Sequence, residues 1–301
     1  MNVLITGATG YIGFQVAQAF RRAGHRVYGV TRSNSKAGLL ARQEIIPVIG
    51  SMQDPASYRP TADQCDVLIH AAVDYEADSV ALDKQTIDTL LASASSGSSP
   101  KTVVYTSGVW VYGNTGDTAV NEESPLNPIP LVAWRPAHEE AVLNAQNVNS
   151  VVIRPGCVYG KQGGLTGEWF DGAVNKKAIM VVGDGSHRWA MVHVDDVADA
   201  YLRVAEQGVA NEVFNVTDRS RTPMREMVEA VARVTGYQGQ IQYIPKDEAV
   251  KQMGGFAEAL ALDQRIESGK ATRVLGWQPR HGGFVENVDL YFASWKAAVS
   301  G

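Results

Sequence analysis

The sequence predicts an α/β fold: a doubly wound parallel sheet to which the C-terminal part adds a smaller, interleaved lobe. Short β-branched runs alternate with helical patterns through the N-terminal half, as strands and crossover helices do in such sheets. A glycine-rich turn follows the first of these runs, and after Arg154 the alternation loosens into glycine-rich and charged loops. We therefore predict a first domain over residues 1–160, to which Asp195–Val216 returns, and a lobe over residues 161–301.

The composition argues against several classes of protein. Of the 301 residues, 45% are hydrophobic, which is enough for a sizeable core. The 27 Lys and Arg residues against 32 Asp and Glu residues give a net charge of −5, whereas nucleic-acid and anionic-membrane binders need a basic face. Cys65 and Cys157 form no paired motif, which favours a reducing compartment. Since no apolar run reaches about 18–20 residues and the start resembles no signal peptide, a soluble cytoplasmic protein is predicted.

The periodicity predicts elements in a regular order. The first half should contain helices over Tyr11–Ala23, Lys36–Arg42, Glu76–Ala94 and Ala137–Ala145, between strands over Val3–Ile5, Arg26–Val30, Ile45–Val48, Val67–His70, Val103–Tyr105 and Val151–Arg154. Further helices are predicted over Asp195–Glu206, Met224–Thr235 and Phe284–Ala298, with a strand over Val213–Val216. Ligands bind such sheets at the carboxyl ends of the strands, so the residues that follow each strand are candidates for chemistry.

The first such turn carries a phosphate-binding pattern. Gly7, Gly10 and Gly13 have a GxxGxxG spacing between a strand and a helix. The first glycine permits a tight turn, the second lets the backbone approach a pyrophosphate, and the third lets helix pack on strand. The helix N-terminus adds free N–H groups and the positive end of its dipole. This order predicts a dinucleotide site, the alternative being a purely structural turn.

The end of the second strand predicts which dinucleotide binds. NAD-selective proteins usually carry an acidic residue here for the ribose diol, but this chain has Arg32 followed by Ser33. A guanidinium would pair with the 2′-phosphate of NADP, and a serine hydroxyl could add a hydrogen bond. We therefore predict NADP(H) as the cofactor, the alternative being an ordinary surface arginine.

Further motifs of one protein family run through almost the whole sequence. Besides the glycine turn and Arg32, they are His70-Ala71-Ala72, Thr106-Ser107, Val111-Tyr112-Gly113, Arg154-Pro155-Gly156, Val158-Tyr159-Gly160, His193-Val194-Asp195-Asp196-Val197-Ala198, Phe214-Asn215-Val216 and Leu275-Gly276-Trp277-Gln278-Pro279. In these motifs the chain resembles the extended or atypical short-chain dehydrogenases of the NAD(P)-dependent epimerase/dehydratase superfamily.

The resemblance implies a Rossmann-type domain that binds NADP(H), a smaller lobe that binds a small-molecule substrate, and a homodimer formed through the helices near Glu76–Ala94 and Ala137–Ala145. Many relatives contact adenine with an Asp after the glycine that ends the third strand, where this chain has Ser51 and Met52. The cofactor-binding residues expected from the motif and the resemblance together are Gly7, Thr9, Gly10, Tyr11, Ile12, Gly13, Arg32, Ser33, Ser51, Met52, Ala71, Ala72, Val73, Thr106, Arg135, Pro155, Gly156 and Val158.

The catalytic pattern of the family is missing. Its members use a Ser or Thr, with a Tyr and a Lys spaced as YxxxK, but no YxxxK occurs between Tyr112 and Arg154. One alignment register puts Leu131 and Arg135 at the Tyr and Lys positions, and another puts Trp134 and His138 there. The hydroxyl position falls on Gly108. Arg135 could still bond the nicotinamide ribose, but a guanidinium cannot relay protons.

Other residues are candidates for the missing proton donor. His138 could titrate near neutrality and act as acid or base, the alternative being a helix-surface histidine, which is the more common case. Tyr112 belongs to a motif in which tyrosines usually pack, and Tyr75 follows the fourth strand. We name His138, Tyr112 and Arg135 as candidate catalytic residues. No metal is predicted, because the histidines and cysteines have no ligand spacing.

The sequence thus predicts an NADP-dependent oxidoreductase that acts on a small hydrophobic carbonyl or alcohol with a non-standard proton donor. The tryptophans Trp110, Trp134, Trp169 and Trp189 are candidate walls of its pocket. An NADP(H)-binding regulator or sensor that has lost catalysis is the alternative. A nucleotide-sugar epimerase or dehydratase is less favoured, because the Arg that often grips the sugar diphosphate is replaced by Trp189, with Arg188 one residue away.

Overall fold

The computed structural model describes residues 1–74, 78–97 and 99–300. Tyr75 and the predicted helical residues 76 and 77 lie outside the described residues. The chain divides into two compact units, each assembled from separate segments. Unit 1 comprises residues 1–107, 134–154 and 197–214, and unit 2 comprises residues 108–133, 155–196 and those from Asn215 onward.

The strands confirm the predicted α/β class. They are β1 (Asn2–Thr6), β2 (Arg26–Thr31), β3 (Ile46–Ile49), β4 (Val67–His70), β5 (Lys101–Thr106), β6 (Val148–Pro155), β7 (Cys157–Tyr159), β8 (Ile179–Val182), β9 (Met191–His193), β10 (Glu212–Val216) and β11 (Ile241–Ile244). A seven-stranded sheet has the order β10-β6-β5-β4-β1-β2-β3, and its pairs from β3 across to β6 are parallel. This is the strand order of a doubly wound, Rossmann-like sheet.

Helices connect the strands at the seven places where the periodicity predicts them and at other places where it does not. They are α1 (Tyr11–Arg22), α2 (Asn34–Ala41), α3 (Arg59–Ala62), α4 (Ser79–Ser95), α5 (Arg135–Leu143), α6 (Gly167–Asp171), α7 (Val194–Gln207), α8 (Met224–Thr235), α9 (Lys246–Met253), α10 (Gly255–Leu260), α11 (Gly269–Leu275) and α12 (Val288–Ser300). The predicted bounds of α8 are confirmed, and those of α7 differ by one residue at each end.

Local capping explains where other helix starts differ from the prediction. Ser33 Oγ accepts from the backbone N–H of Lys36, so α2 begins at Asn34 rather than Lys36. Asp78 Oδ1 accepts from the N–H of Ala81 and begins α4 at Ser79. Helix α5 begins at Arg135 rather than Ala137, since a proline is well suited to the first helical turn.

Unit 2 contains short elements that the sequence analysis did not predict. Strand β7 pairs with β9, and β8 pairs with β11, each as a separate parallel ladder. These strands have three or four residues each, so their hydrogen bonds to a partner distant in sequence define them more than their own periodicity. The core of unit 2 includes Trp169, Phe170, Trp189, Phe284 and Trp295.

The register of the central strands assembles the side chains that matter below. Thr6 lies beside His70 across β1 and β4, and His70 lies beside Tyr105 across β4 and β5. The parallel register therefore places all three at the carboxyl edge of the sheet, where ligands of such folds bind. Among the described residues, no helix has the length and apolar character needed to cross a bilayer.

Candidate active site

The glycine turn between β1 and α1 forms a tight backbone cradle. Gly7 has φ +71°, and a Cβ there would lie 2.5 Å from the carbonyl oxygen of Ala71. A Cβ on Gly13 would lie 2.2 Å from the oxygen of Gly7, so helix and turn are in direct backbone contact. Gly10 is the N-cap of α1 and offers no side-chain cap, which leaves the helix N-terminus open to an anion.

A cavity of about 450 Å³ opens over this cradle in unit 1. It draws residues from four different turns, as expected for a ligand at the carboxyl edge of the sheet. The predicted cofactor residues that line it are Gly7, Thr9, Gly10, Tyr11, Arg32, Ser33, Ser51, Met52, Ala71, Ala72 and Val73.

Other predicted cofactor residues lie elsewhere. Ile12 and Gly13 are in the first turn of α1 and are not among the lining residues. Thr106 and Arg135 belong to unit 1 but are not among the residues that line the cavity. Pro155, Gly156 and Val158 belong to unit 2, and their expected role in cofactor binding stays a prediction.

The cavity contains a polar group that suits a dinucleotide. Thr31 lines it, and its Oγ1 is buried and has no hydrogen-bond partner among the described residues. Buried polar atoms without partners are costly unless a ligand or water satisfies them. Together with a cradle that has no room for side chains, this hydroxyl fits a nicotinamide dinucleotide.

Lys36, Gln53 and Asp74 also line the cavity, although no sequence pattern predicted that they would bind the cofactor. Asp74 Oδ2 accepts hydrogen bonds from Arg32 Nη1 at 2.9 Å and from Gln53 Nε2 at 3.1 Å. Arg32 is therefore a partner of a carboxylate as well as an exposed surface cation. The signal in the sequence that could have predicted a place for Asp74 in the site is its position in the turn after the fourth strand.

A buried network centred on Asp83 lies in the same unit. His138 Nδ1 is 2.7 Å from Asp83 Oδ2, and the Tyr105 hydroxyl donates to the same oxygen at 3.0 Å. The other carboxylate oxygen lies 3.2 Å from His70 Nε2, and His70 Nδ1 is 2.8 Å from Thr6 Oγ1. The network thus joins α4 and α5 to the carboxyl edge of the sheet.

Hydrogen bonding determines the charge of Asp83 and the position of the proton on the His138 ring. Burial by itself favours a neutral Asp83, but hydrogen bonds from His138 and His70 outweigh it and hold the pKa of this carboxyl well below its ordinary value. An ionised carboxylate only accepts hydrogen bonds, so the proton on the His138 ring is at Nδ1 when the ring is neutral. His138 Nε2 is then the ring atom left to accept or return a proton.

Arg135 and Thr106 are linked at the end of β5. Arg135 Nη1 donates to the carbonyl oxygen of Thr106 at 2.9 Å, and its guanidinium carbon lies 4.7 Å from the Trp134 ring centre. The Thr106 hydroxyl donates to the oxygen of His70 at 2.6 Å. Arg135 is therefore held at the carboxyl edge of the sheet, one helical turn before the buried ion pair of Glu139 with Arg154.

Tyr112 and Gly108 belong to unit 2. The Tyr112 hydroxyl is buried and donates to Asn215 Oδ1 at 2.9 Å, inside a small apolar cluster. Gly108 has φ 177°, which is ordinary extended backbone, and a Cβ there would find its nearest neighbour 3.9 Å away. A Cβ at residue 108 would therefore fit, and steric crowding does not explain why this chain lacks the hydroxyl that the family has there.

Unit 2 contains an apolar cavity of about 290 Å³. Trp169 and Trp189 line it with their rings stacked, the centres 5.3 Å apart, and Met180 and Phe256 add further apolar wall. Its buried polar group is His187, whose Nε2 has no hydrogen-bond partner among the described residues. Burial lowers the pKa of His187, so a neutral ring faces this cavity.

Two other predicted wall residues lie outside this cavity. Trp110 packs edge-on against Phe256, with ring centres 6.4 Å apart. Trp134 belongs to unit 1, where its ring meets that of His138 at 4.9 Å.

One group in the described part of the chain has side chains close enough for a metal: His193, Asp195 and His281. The two imidazole rings are stacked, with centres 3.8 Å apart and planes 16° from parallel, so their in-plane lone pairs do not converge on one point. Lys161 Nζ lies 2.7 Å from Asp195 Oδ1 and supplies the compensating cation. This arrangement is poorly suited to an ion.

A family model now adds to this geometry. The model described as the NAD dependent epimerase/dehydratase family matches residues 3–217. The chain belongs to the NAD dependent epimerase/dehydratase family. The match covers the glycine cradle, the Asp83 network and the sheet that holds them.

Individual proteins are similar to the chain over most of its length. A UDP-glucose 4-epimerase of Mycolicibacterium smegmatis is 27% identical over 93% of this chain and 94% of its own. A decarboxylating sterol-4-alpha-carboxylate 3-dehydrogenase of Dictyostelium discoideum is 25% identical over 75% and 74%. The crystal structure of a Thermotoga maritima UDP-glucose 4-epimerase with UDP-glucose superposes with a TM-score of 0.82 at 22% identity, covering 99% of this chain and 100% of that one, which supports the fold alone.

Proposed function

We propose that the protein is an NADP(H)-dependent oxidoreductase that acts on a small, largely apolar carbonyl or alcohol. The observation that carries the proposal is the glycine cradle under the cavity of about 450 Å³, which fits a nicotinamide dinucleotide. Arg32 and Lys36 line the same cavity and offer a guanidinium and an ammonium group to a 2′-phosphate.

The chain has to manage a proton without the family's tyrosine. When bound, a reduced nicotinamide would supply hydride to a carbonyl carbon, and a side chain of the protein would then have to supply a proton to the carbonyl oxygen. His138 is the first candidate, because Asp83 holds its Nδ1–H and leaves Nε2 to exchange the proton. Tyr112 is the second candidate donor. Arg135 is assigned to holding the nicotinamide ribose, since it does not deprotonate.

The apolar cavity of unit 2 supports an apolar substrate. Its stacked tryptophans and methionine side chains favour a hydrophobic group, and His187 offers one polar contact. The sterol dehydrogenase among the relatives is named for a largely apolar substrate. Trp189 stands where nucleotide-sugar relatives often have an arginine, which disfavours a sugar diphosphate.

A second candidate function is an NADP(H)-binding regulator without catalysis. It is favoured by the missing YxxxK pattern and by the hydrogen bond in which the Tyr112 hydroxyl already donates to Asn215 Oδ1. A protein of this kind would bind the cofactor through the same cradle and show no turnover.

Measurement of cofactor binding, followed by measurement of turnover, distinguishes the two functions. The full chain is titrated with NADPH and then assayed against a panel of aldehydes, ketones, imines and UDP-glucose. Oxidation of NADPH with an apolar carbonyl, lost in His138→Gln and retained in Tyr112→Phe, supports the enzyme and the first donor. Binding without turnover across the panel supports the regulator, and turnover of UDP-glucose alone supports a nucleotide-sugar enzyme.

In an active enzyme, Trp169→Ala should raise KM for apolar substrates at least tenfold, because the cavity loses one of its stacked walls.

A further inference from the structure

Asp74 supplies an acidic side chain to the dinucleotide cavity of unit 1. It is only 7% exposed, in the segment that follows β4. Its Oδ2 accepts from Arg32 Nη1 at 2.9 Å and from Gln53 Nε2 at 3.1 Å. The side chain of Arg32 is 68% exposed. The carboxylate is therefore buried and held in place by its hydrogen bonds, whereas the guanidinium extends from it into solvent.

The Asp74 carboxylate is the same chemical group that NAD-selective proteins use to bind the cofactor ribose, but it comes from a different position in the chain. In those proteins an acidic residue after the second strand accepts hydrogen bonds from the ribose diol. Here the residue after the second strand is Arg32, and the acid comes from the turn after the fourth strand to the same cavity. The site thus contains a partner for a 2′-phosphate and a partner for a 2′-hydroxyl.

The two cofactors should respond to Asp74 in opposite directions. A 2′-phosphate carries negative charge, which a buried carboxylate beside Arg32 repels and with which it competes for the guanidinium. A 2′-hydroxyl can instead donate to a carboxylate. The exposed position of Arg32 in water weakens this charge effect but does not reverse its sign.

We propose that Asp74 is a specificity-determining residue that limits the preference of the site for NADP(H) over NAD(H). This proposal rests on the proposed function, because it requires that a dinucleotide binds in this cavity. A different role for Asp74, in which it only orients Arg32 toward a 2′-phosphate, predicts the opposite result and is therefore an outcome of the test.

The test compares dissociation constants of NADPH and NADH for the full chain and its variants. Asp74→Asn keeps the shape and removes the charge, and should tighten NADPH binding about tenfold while leaving NADH unchanged or a few-fold weaker. Asp54→Asn is the matched control, since Asp54 is exposed, does not line the cavity, and gives the same change in net charge. Its NADPH-to-NADH ratio should stay within twofold of wild type.

A second neutral variant, Asp74→Ser, is measured in case Asp74→Asn does not fold, with thermal unfolding as the check. An unchanged ratio in a folded neutral variant, or a shift toward NADH, overturns the role of Asp74. A further variant, Arg32→Gln, distinguishes a failure of the role of Asp74 from a failure of the proposed function. If it weakens NADPH selectively while the neutral Asp74 variants leave the ratio unchanged, NADP(H) use stands and the role of Asp74 falls. If the wild-type chain binds neither cofactor, both fall.

Discussion

Asp83 and His138 are joined by a 2.7 Å hydrogen bond between Oδ2 and Nδ1, with both side chains buried in unit 1. The bond ties α4 to α5 at the point where Tyr105 and His70 also reach the carboxylate. A charge buried this deeply is tolerated because each of its oxygens faces a donor. The same bond determines which nitrogen of His138 is left for chemistry, so stability and the proposed proton transfer depend on one carboxylate.

Asp83→Asn should therefore affect both properties. We expect a loss of about 3 kcal/mol in the free energy of unfolding, because the amide cannot accept all the donors that now surround the carboxylate. Urea denaturation measures this loss. Asp88→Asn is the control on the same helix, since Asp88 forms an exposed ion pair with Lys84, and should cost less than about 0.5 kcal/mol. An active enzyme should also lose about 100-fold or more in kcat in Asp83→Asn with an unchanged Kd for NADPH. Equal stability of the two variants would contradict the network.

Gly7→Ala should disrupt the cofactor cradle. Its Cβ would lie 2.5 Å from a backbone oxygen at φ +71°, so we expect a loss of about 2–4 kcal/mol in stability and of measurable NADPH binding. Gly38→Ala is the matched control within α2, where a Cβ meets nothing within 4 Å. It should be neutral or stabilise by up to about 1 kcal/mol. Calorimetry and cofactor titration of both variants check this, and retained binding in Gly7→Ala would argue against the cradle.

Glu139→Gln should destabilise unit 1. Glu139 and Arg154 form a buried ion pair, in which Arg154 Nε lies 3.0 Å from Glu139 Oε1. Removing one charge leaves the other buried and uncompensated, at a cost of about 3–5 kcal/mol. The neighbouring exposed Glu140→Gln serves as control and should change stability by less than about 0.5 kcal/mol in urea denaturation. Similar losses in both variants would mean that burial of the pair does not determine the effect.

The stability of the fold should fall in mild acid. Burial, with the adjacent His281, lowers the pKa of His193 from 6.5 to about 4. Between these values the unfolded chain binds a proton that the folded chain does not, so the free energy of unfolding decreases as pH falls from about 6.5 to 4. The loss is on the order of 3 kcal/mol. Urea denaturation at pH 7.5, 6 and 5 measures it. His193→Gln should flatten this dependence, and an identical slope in the variant would assign the effect to other groups.

Local patterns were sufficient to predict the sheet and the phosphate-binding turn. β-Branched runs, amphipathic periods and three glycines act over a few residues, and the structure has strands, α1 and the cradle where these patterns occur. Short elements of unit 2, such as β7 and β9, were not predicted because each is defined by pairing with a partner about 30 residues away.

Parts of the candidate site depend on contacts that no local pattern encodes. Asp83 is an ordinary residue in a helical stretch until folding brings His70, Tyr105 and His138 to it. Asp74 likewise becomes part of the cofactor cavity only because the turn after β4 lies beside the end of β2.

The sequence by itself determined the α/β class, the glycine cradle and membership of a dinucleotide-binding family, because these depend on the order of residues along short segments. Only the tertiary structure decided that Arg32 has a buried acidic partner and that His138 is held by Asp83. Both pairs join residues more than 40 positions apart, and the energy of a charge depends on the groups around it in space.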